Sequence, residues 1–183
     1  MPVTEETYER LALEDLEGQW ELVCGRPRQK PGMTQEHNFI GRKLARRIGS
    51  FLDYSQFDVS ANSARLRIAN GTTFIPDVAV VQIAQMPGLR GTGRLETYLD
   101  PVPFVAEVWS PSTGGYDVDT KFPEYKLRKD SEIWRIHPYD ESLIAWRLRS
   151  DGMYSEHPYR DGIVPIESLP GVTIDLAELF RFP

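Results

Sequence analysis

Cysteine is almost missing from this chain of 183 residues, with Cys24 the only one. That excludes an internal disulfide and a thiol-rich metal centre, and it suits a reducing cytoplasm. No apolar run approaches the roughly 18 residues that a membrane span needs. The opening MPVTEETYERL holds neither a basic leader nor an apolar stretch, so a soluble, unprocessed, cytoplasmic protein is expected. Repeats and low-complexity segments are lacking as well. Positive charge is in deficit: 21 Lys and Arg against 27 Asp and Glu give a formal net charge of -6. This argues against a protein that coats nucleic acid nonspecifically and leaves room only for a localised basic face.

What is present suffices for one domain with a full core, since 40% of the residues are hydrophobic. Thr4 to Leu13 reads as a short helix capped by Thr4, with Glu5 and Glu6 in its first turn. Gln19 to Cys24 reads as a strand that turns at Gly25 into a second extended piece, a hairpin. Thr34 caps a long helix whose apolar Ile40, Leu44, Ile48 and Leu52 recur every four residues. Arg42, Lys43, Arg46 and Arg47 fall on its other faces, a basic surface open to phosphates or simply to water. Strands are expected at Phe57 to Val59, Ala64 to Ile68, Val78 to Ile83 and Phe104 to Trp109, the last two apolar enough to be covered on both faces. A loop should span Ala84 to Pro101. A helix follows from Thr120 to Arg128, with Pro123 tolerated in its first turn. Strands at Ser131 to His137, Leu143 to Leu148, Met153 to His157 and Val172 to Ile174 lead to a closing helix capped by Asp175. Cys24, Trp109 and Trp134 are expected to pack in the core.

Two acids stand out against this pattern. FIPDVAVV and PFVAEVWSPST each place one carboxylate, Asp77 or Glu107, in an apolar strand-like run. An isolated buried carboxylate costs several kcal/mol or neutralises itself unless a cation or donors meet it. Alternation puts Glu107 on one face with Val105 and Trp109, while Asp77 enters its strand just after Pro76. If the two strands are neighbours, both carboxylates can reach one hard divalent cation such as Mg²⁺, which suits metal-assisted phosphodiester hydrolysis.

The string of motifs W-E-L, T-Q-E-H at a helix start, P-D before an apolar strand, V-A-E-V-W-S-P-S-T, D-x-x-x-K-x-x-x-Y, I-W-R-I-H-P, and the closing L-P-G-V and D-L-A-E-L-F resembles the Uma family of restriction-endonuclease-like proteins, within the PD-(D/E)XK nuclease superfamily. The resemblance implies an α/β fold, a restriction-endonuclease-like mixed β-sheet flanked by helices. It also implies a single domain over 1–183, with an N-terminal helix in 1–15, a nuclease core in 16–138, and C-terminal strands with a closing helix in 139–183. It makes Asp77 and Glu107, thirty residues apart, the paired acids. The superfamily lysine two positions after the second acid is replaced here by Trp109, and Lys121 takes its role from the following helix. Glu21 joins the catalytic and metal-binding set, His37 and Tyr125 are candidate accessory residues, and Arg42, Lys43, Arg46 and Arg47 are candidate DNA contacts. The implied cofactor is Mg²⁺, with Mn²⁺ a substitute, and the implied partners are DNA and a second copy of the chain in a homodimer. Two other classes compete: a catalytically degenerate binding module, and a metal-dependent hydrolase of a small phosphoester.

Overall fold

A computed structural model describes residues 2–15, 17–86 and 93–182 and shows a mixed α/β fold in which helices flank multistranded sheets. Strands β1 (Trp20–Val23), β2 (Arg26–Gln29), β4 (Arg65–Ile68), β5 (Thr72–Phe74) and β7 (Thr97–Tyr98) make a five-stranded sheet in the order β2-β1-β5-β4-β7. Strands β3 (Phe57–Ala61), β6 (Val78–Gln82), β8 (Phe104–Val108), β9 (Glu132–His137), β10 (Ser142–Leu148) and β11 (Tyr154–Tyr159) make a six-stranded sheet in the order β11-β10-β9-β8-β6-β3. Each sheet is mixed, because β8 runs parallel to β9 and β4 parallel to β7 while the other neighbours are antiparallel. A separate pair, β12 (Ile163–Pro165) and β13 (Thr173–Asp175), leads into helix α5 (Leu176–Phe180).

The six-stranded sheet is covered on both faces, as the apolar runs in β6 and β8 predict. Val78, Val80, Phe104, Ala106 and Val108 pack with Ile40, Leu44 and Ile48 of helix α2 (Gln35–Gly49) and with the C-terminal residues Ile174, Leu176 and Leu179. Ala79, Val81 and Val105 face the opposite way, onto Leu66, Phe74, Phe122 and Tyr125. Alternation in β8 therefore turns Glu107 toward the second of these layers.

Helix α2 begins at Thr34, whose Oγ1 accepts the His37 N–H at 3.3 Å. Orphan N–H groups at a helix start make such a cap worth about 1 kcal/mol. Thr34→Ala should therefore lower stability by about 1 kcal/mol, and a denaturant midpoint unchanged by the substitution would refute the assigned role. Thr4 caps α1 (Glu5–Glu14) in the same way.

Several expectations need revision. Strand β5 is an addition to the expected strands: it ends at Phe74 in the five-stranded sheet, β6 starts at Val78 in the six-stranded one as expected, and Ile75-Pro76-Asp77 carries the chain between sheets. Helical structure after β8 begins at Gly114, not at Thr120, through α3 (Gly114–Tyr116), a π-turn over Asp117–Lys121, and α4 (Phe122–Arg128). Pro123 does lie in the first turn of α4, and the wider π-turn before it accommodates a residue that has no N–H to donate. Cys24 is exposed. With Gly25 it forms the two-residue turn between β1 and β2, both at positive φ, 49° and 74°, as a tight hairpin of this twist requires. Within the expected loop from Ala84 to Pro101, a 3-10 turn at Ile83–Gln85 and strand β7 are present, and residues 87–92 lie outside the described residues. Trp134 is fully buried as expected, whereas Trp109 is half-buried and stacked on His137.

Candidate active site

The site forms where the chain leaves one sheet for the other. Antiparallel pairing of β6 with β8 matches Val78 to Ala106, and the same register continued by one residue sets Asp77 opposite Glu107. Both are 1% exposed. Glu21 on β1 reaches the same junction, where its Oε1 accepts the Ile75 N–H at 2.9 Å. Three segments distant in sequence are thus tied together by the short link around Pro76.

Asp77 is the most heavily bonded of the acids. Lys30 donates to its Oδ1 at 2.8 Å, while His37 Nε2–H and the Val108 N–H donate to its Oδ2 at 2.8 Å each. Burial works against a carboxylate here, but the Lys30 ammonium and the His37 hydrogen bond hold Asp77 well below the usual carboxylate range. Glu107 has the opposite bias. Its Oε1 accepts from the Tyr125 hydroxyl at 2.6 Å and from Lys121 at 3.1 Å. Burial nevertheless pushes its carboxyl up to about 8: the pull of Lys121 does not offset it, and the charges on Asp77 and Asp117 add to it. Two acids one residue pair apart are therefore held at opposite ends of the carboxyl scale, a pattern found where titratable groups have distinct roles.

Lys121 lies between the remaining carboxylates, 2.9 Å from Glu21 Oε1, 3.1 Å from Glu107 Oε1 and 3.7 Å from Asp117 Oδ1. Burial disfavours its charge, but Glu107, Glu21 and Asp117 together keep the ammonium well above its ordinary range. The π-turn aims this side chain, with Asp117 and Lys121 at its two ends and Tyr125 one turn on in α4. Such turns are frequent at functional sites because they re-aim side chains that a regular helix would place elsewhere. The acids and lysines line a narrow crevice of about 10 Å³, completed by Arg28, Pro31, Met33, Thr113 and Tyr116, with the Arg28 guanidinium 3.3 Å above the Tyr116 ring centroid.

Asp77, Glu107, Lys121, Glu21 and Tyr125 are therefore brought together, and His37 joins them through Asp77. Arg42, Lys43, Arg46 and Arg47 are not part of this group and none lines the crevice. Arg47 is ten residues beyond His37 on α2, about 15 Å along the axis. Lys43 donates to the Glu178 and Arg181 carbonyls at the end of α5, so it is occupied in joining α2 to α5. Two residues were missed. Asp117 is inside the D-x-x-x-K-x-x-x-Y motif and was legible there, whereas Lys30 has only an unremarkable Lys-Pro context.

Hard oxygen donors suit Mg²⁺, which takes one or two carboxylates and keeps waters or phosphate oxygens for the rest. Four carboxyl groups, from Glu21, Asp77, Glu107 and Asp117, share the crevice with the Lys30 and Lys121 ammonium groups and the Arg28 guanidinium, and Glu107 adds its charge only as pH rises toward 8. The oxygen donors of these residues fit one divalent ion. Among the described residues, however, no three His, Cys, Asp or Glu side chains form a group that would hold an ion. Of the expected ligand trio of Asp77, Glu107 and Glu21, the last two have the Lys121 ammonium between them.

Comparison with known proteins agrees with this architecture. Residues 5–177 match the Uma2 family, described as "Putative restriction endonuclease". A crystal structure of "a putative nuclease belonging to DUF820" from Anabaena variabilis superposes with a TM-score of 0.78 at 18% identity, covering 98% of each chain. No curated protein matches. With the match extending over nearly its whole length, the chain belongs to the Uma2 family.

Proposed function

We propose that this protein is a divalent-cation-dependent nuclease that hydrolyses phosphodiester bonds of DNA at the crevice between its sheets. The observation that carries the reading is the gathering of four buried carboxyl groups, Glu21, Asp77, Glu107 and Asp117, at a single junction. Retaining such charge is costly in a module that only packs or binds. Mg²⁺ or Mn²⁺ held by Asp77 and Glu107 would polarise a phosphoryl oxygen and make water more acidic. Asp77 is kept ionised by Lys30 and His37. Glu107 must give up its proton to act as a ligand, so cation affinity should rise with pH toward 8. Glu21 and Asp117 hold Lys121, and Tyr125 holds Glu107. Because Lys121 stays protonated, its contribution is a fixed positive charge beside the negative charge that develops on the phosphoryl oxygens, not proton abstraction.

The narrowness of the crevice favours a second reading, hydrolysis of a small phosphoester. One experiment separates the two: supercoiled and linear DNA, single-stranded DNA and bis(p-nitrophenyl) phosphate are each incubated with the wild type and with Asp77→Ala and Glu107→Ala, in Mg²⁺, Mn²⁺ or EDTA. DNA cleavage by the wild type alone, and only with a cation, is expected. Turnover of the small ester without DNA cleavage would select the second reading, and cleavage surviving in either variant would place the chemistry elsewhere.

A further inference from the structure

The position of Lys30 goes beyond that reading while resting on it. Lys30 enters from the segment after β2, and its side chain is 5% exposed. All three of its ammonium protons have oxygen acceptors: Asn62 Oδ1 at 2.6 Å, the Ile75 carbonyl at 2.9 Å and Asp77 Oδ1 at 2.8 Å. An amide oxygen, a backbone carbonyl and a carboxylate are the donor types that hard divalent cations use. Here they close around an ammonium. A carboxylate offers about four lone-pair sites, and on Asp77 three are committed, to Lys30, to His37 and to the Val108 N–H. One remains, on Oδ1. Two-metal phosphodiesterases place their ions about 3.5–4 Å apart, within reach of a shared carboxylate, and Asp77 has no second free site with which to share.

We propose that Lys30 stands in place of a second metal ion and restricts this site to one. Its three oxygen acceptors hold the ammonium in place beside Asp77 before substrate or metal arrives. It also orients Asp77, with the one free Oδ1 lone pair left for the remaining ion.

Counting ions tests this directly. Mn²⁺ is titrated into the full chain at pH 8 and followed by the loss of the free-ion electron paramagnetic resonance signal and by calorimetry, with wild type and Lys30→Met side by side. One ion per wild-type chain and two per Lys30→Met chain are expected. Two ions on the wild type, or still one on a folded Lys30→Met, would overturn the inference while leaving the one-crevice nuclease intact. No ion on the wild type would overturn the metal-dependent function itself, and this inference with it. If Lys30→Met does not fold, the wild type still decides: the buried Lys30 ammonium should keep its ¹H–¹⁵N cross-peak in tenfold excess Mg²⁺, and its displacement by the ion would overturn the proposal.

Discussion

Glu107→Gln should lower metal-dependent cleavage by about a hundred- to a thousandfold, the range seen when one group that stabilises a transition state is removed, yet leave the folded protein at least as stable at pH 8. The two effects separate because Glu107 is the acid that burial opposes most plainly. Its folded-state carboxyl is raised from 4.5 to about 8. The stability linked to that shift is therefore fully present below about 4.5, falls as pH rises, and is gone above about 8. Asp77 has the opposite sign, since its contribution is present at neutral pH and is lost only in strong acid. Gln keeps the shape and an oxygen that can accept from Tyr125 and Lys121, but it cannot ionise. Thermal melts in EDTA should show the wild type losing several degrees between pH 5 and pH 8, and Glu107→Gln losing distinctly less. Added Mg²⁺ should restore the wild type at pH 8 and do little for the variant. Equal slopes for the two proteins, or undiminished cleavage by Glu107→Gln, would show that the buried acid is structural.

Lys121→Met should have the largest effect on stability. The substitution leaves Glu21, Glu107 and Asp117 facing one another without a cation among them. Removing one partner from a buried ion pair costs about 3–5 kcal/mol. For a chain of this size that is on the order of 10 °C in Tm. The deficit should be greater at pH 8 than at pH 5, because protonation of the acids at the lower pH relieves their repulsion. Combining Lys121→Met with Glu107→Gln should recover part of the loss, since one of the three uncompensated charges is then gone. Strict additivity of the two substitutions would mean that Lys121 and Glu107 do not act on each other. A Lys121→Met protein melting like the wild type would mean that the lysine is solvated and not held by the three acids.

The elements were largely legible because their signals are local. Thr34 with Ile40, Leu44 and Ile48 announced α2, the doubly covered runs announced β6 and β8, and the closing helix began at its Asp175 cap. Failures occurred where a local rule had a nonlocal competitor. The π-turn at Asp117–Lys121 has no periodicity that distinguishes it from the start of a helix. Cys24, apolar by type, was needed at a turn position with positive φ. The division into two sheets at Pro76 was hidden because both sides of the break are extended.

Chemistry showed the same division. An apolar strand with a carboxylate inside it is costly in any fold, so Asp77 and Glu107 could be singled out as residues that something must meet, and the spaced motifs pointed to the family. Which groups meet them is a matter of register and chain crossing. Only pairing of β6 with β8 sets the two acids opposite each other, and only the passage between sheets brings Glu21 and Lys30 to them from β1 and the end of β2. No spacing in the chain encodes those distances, because charge interactions fall off with separation in space, and residues 30 and 77 become neighbours only once the strands between them have paired.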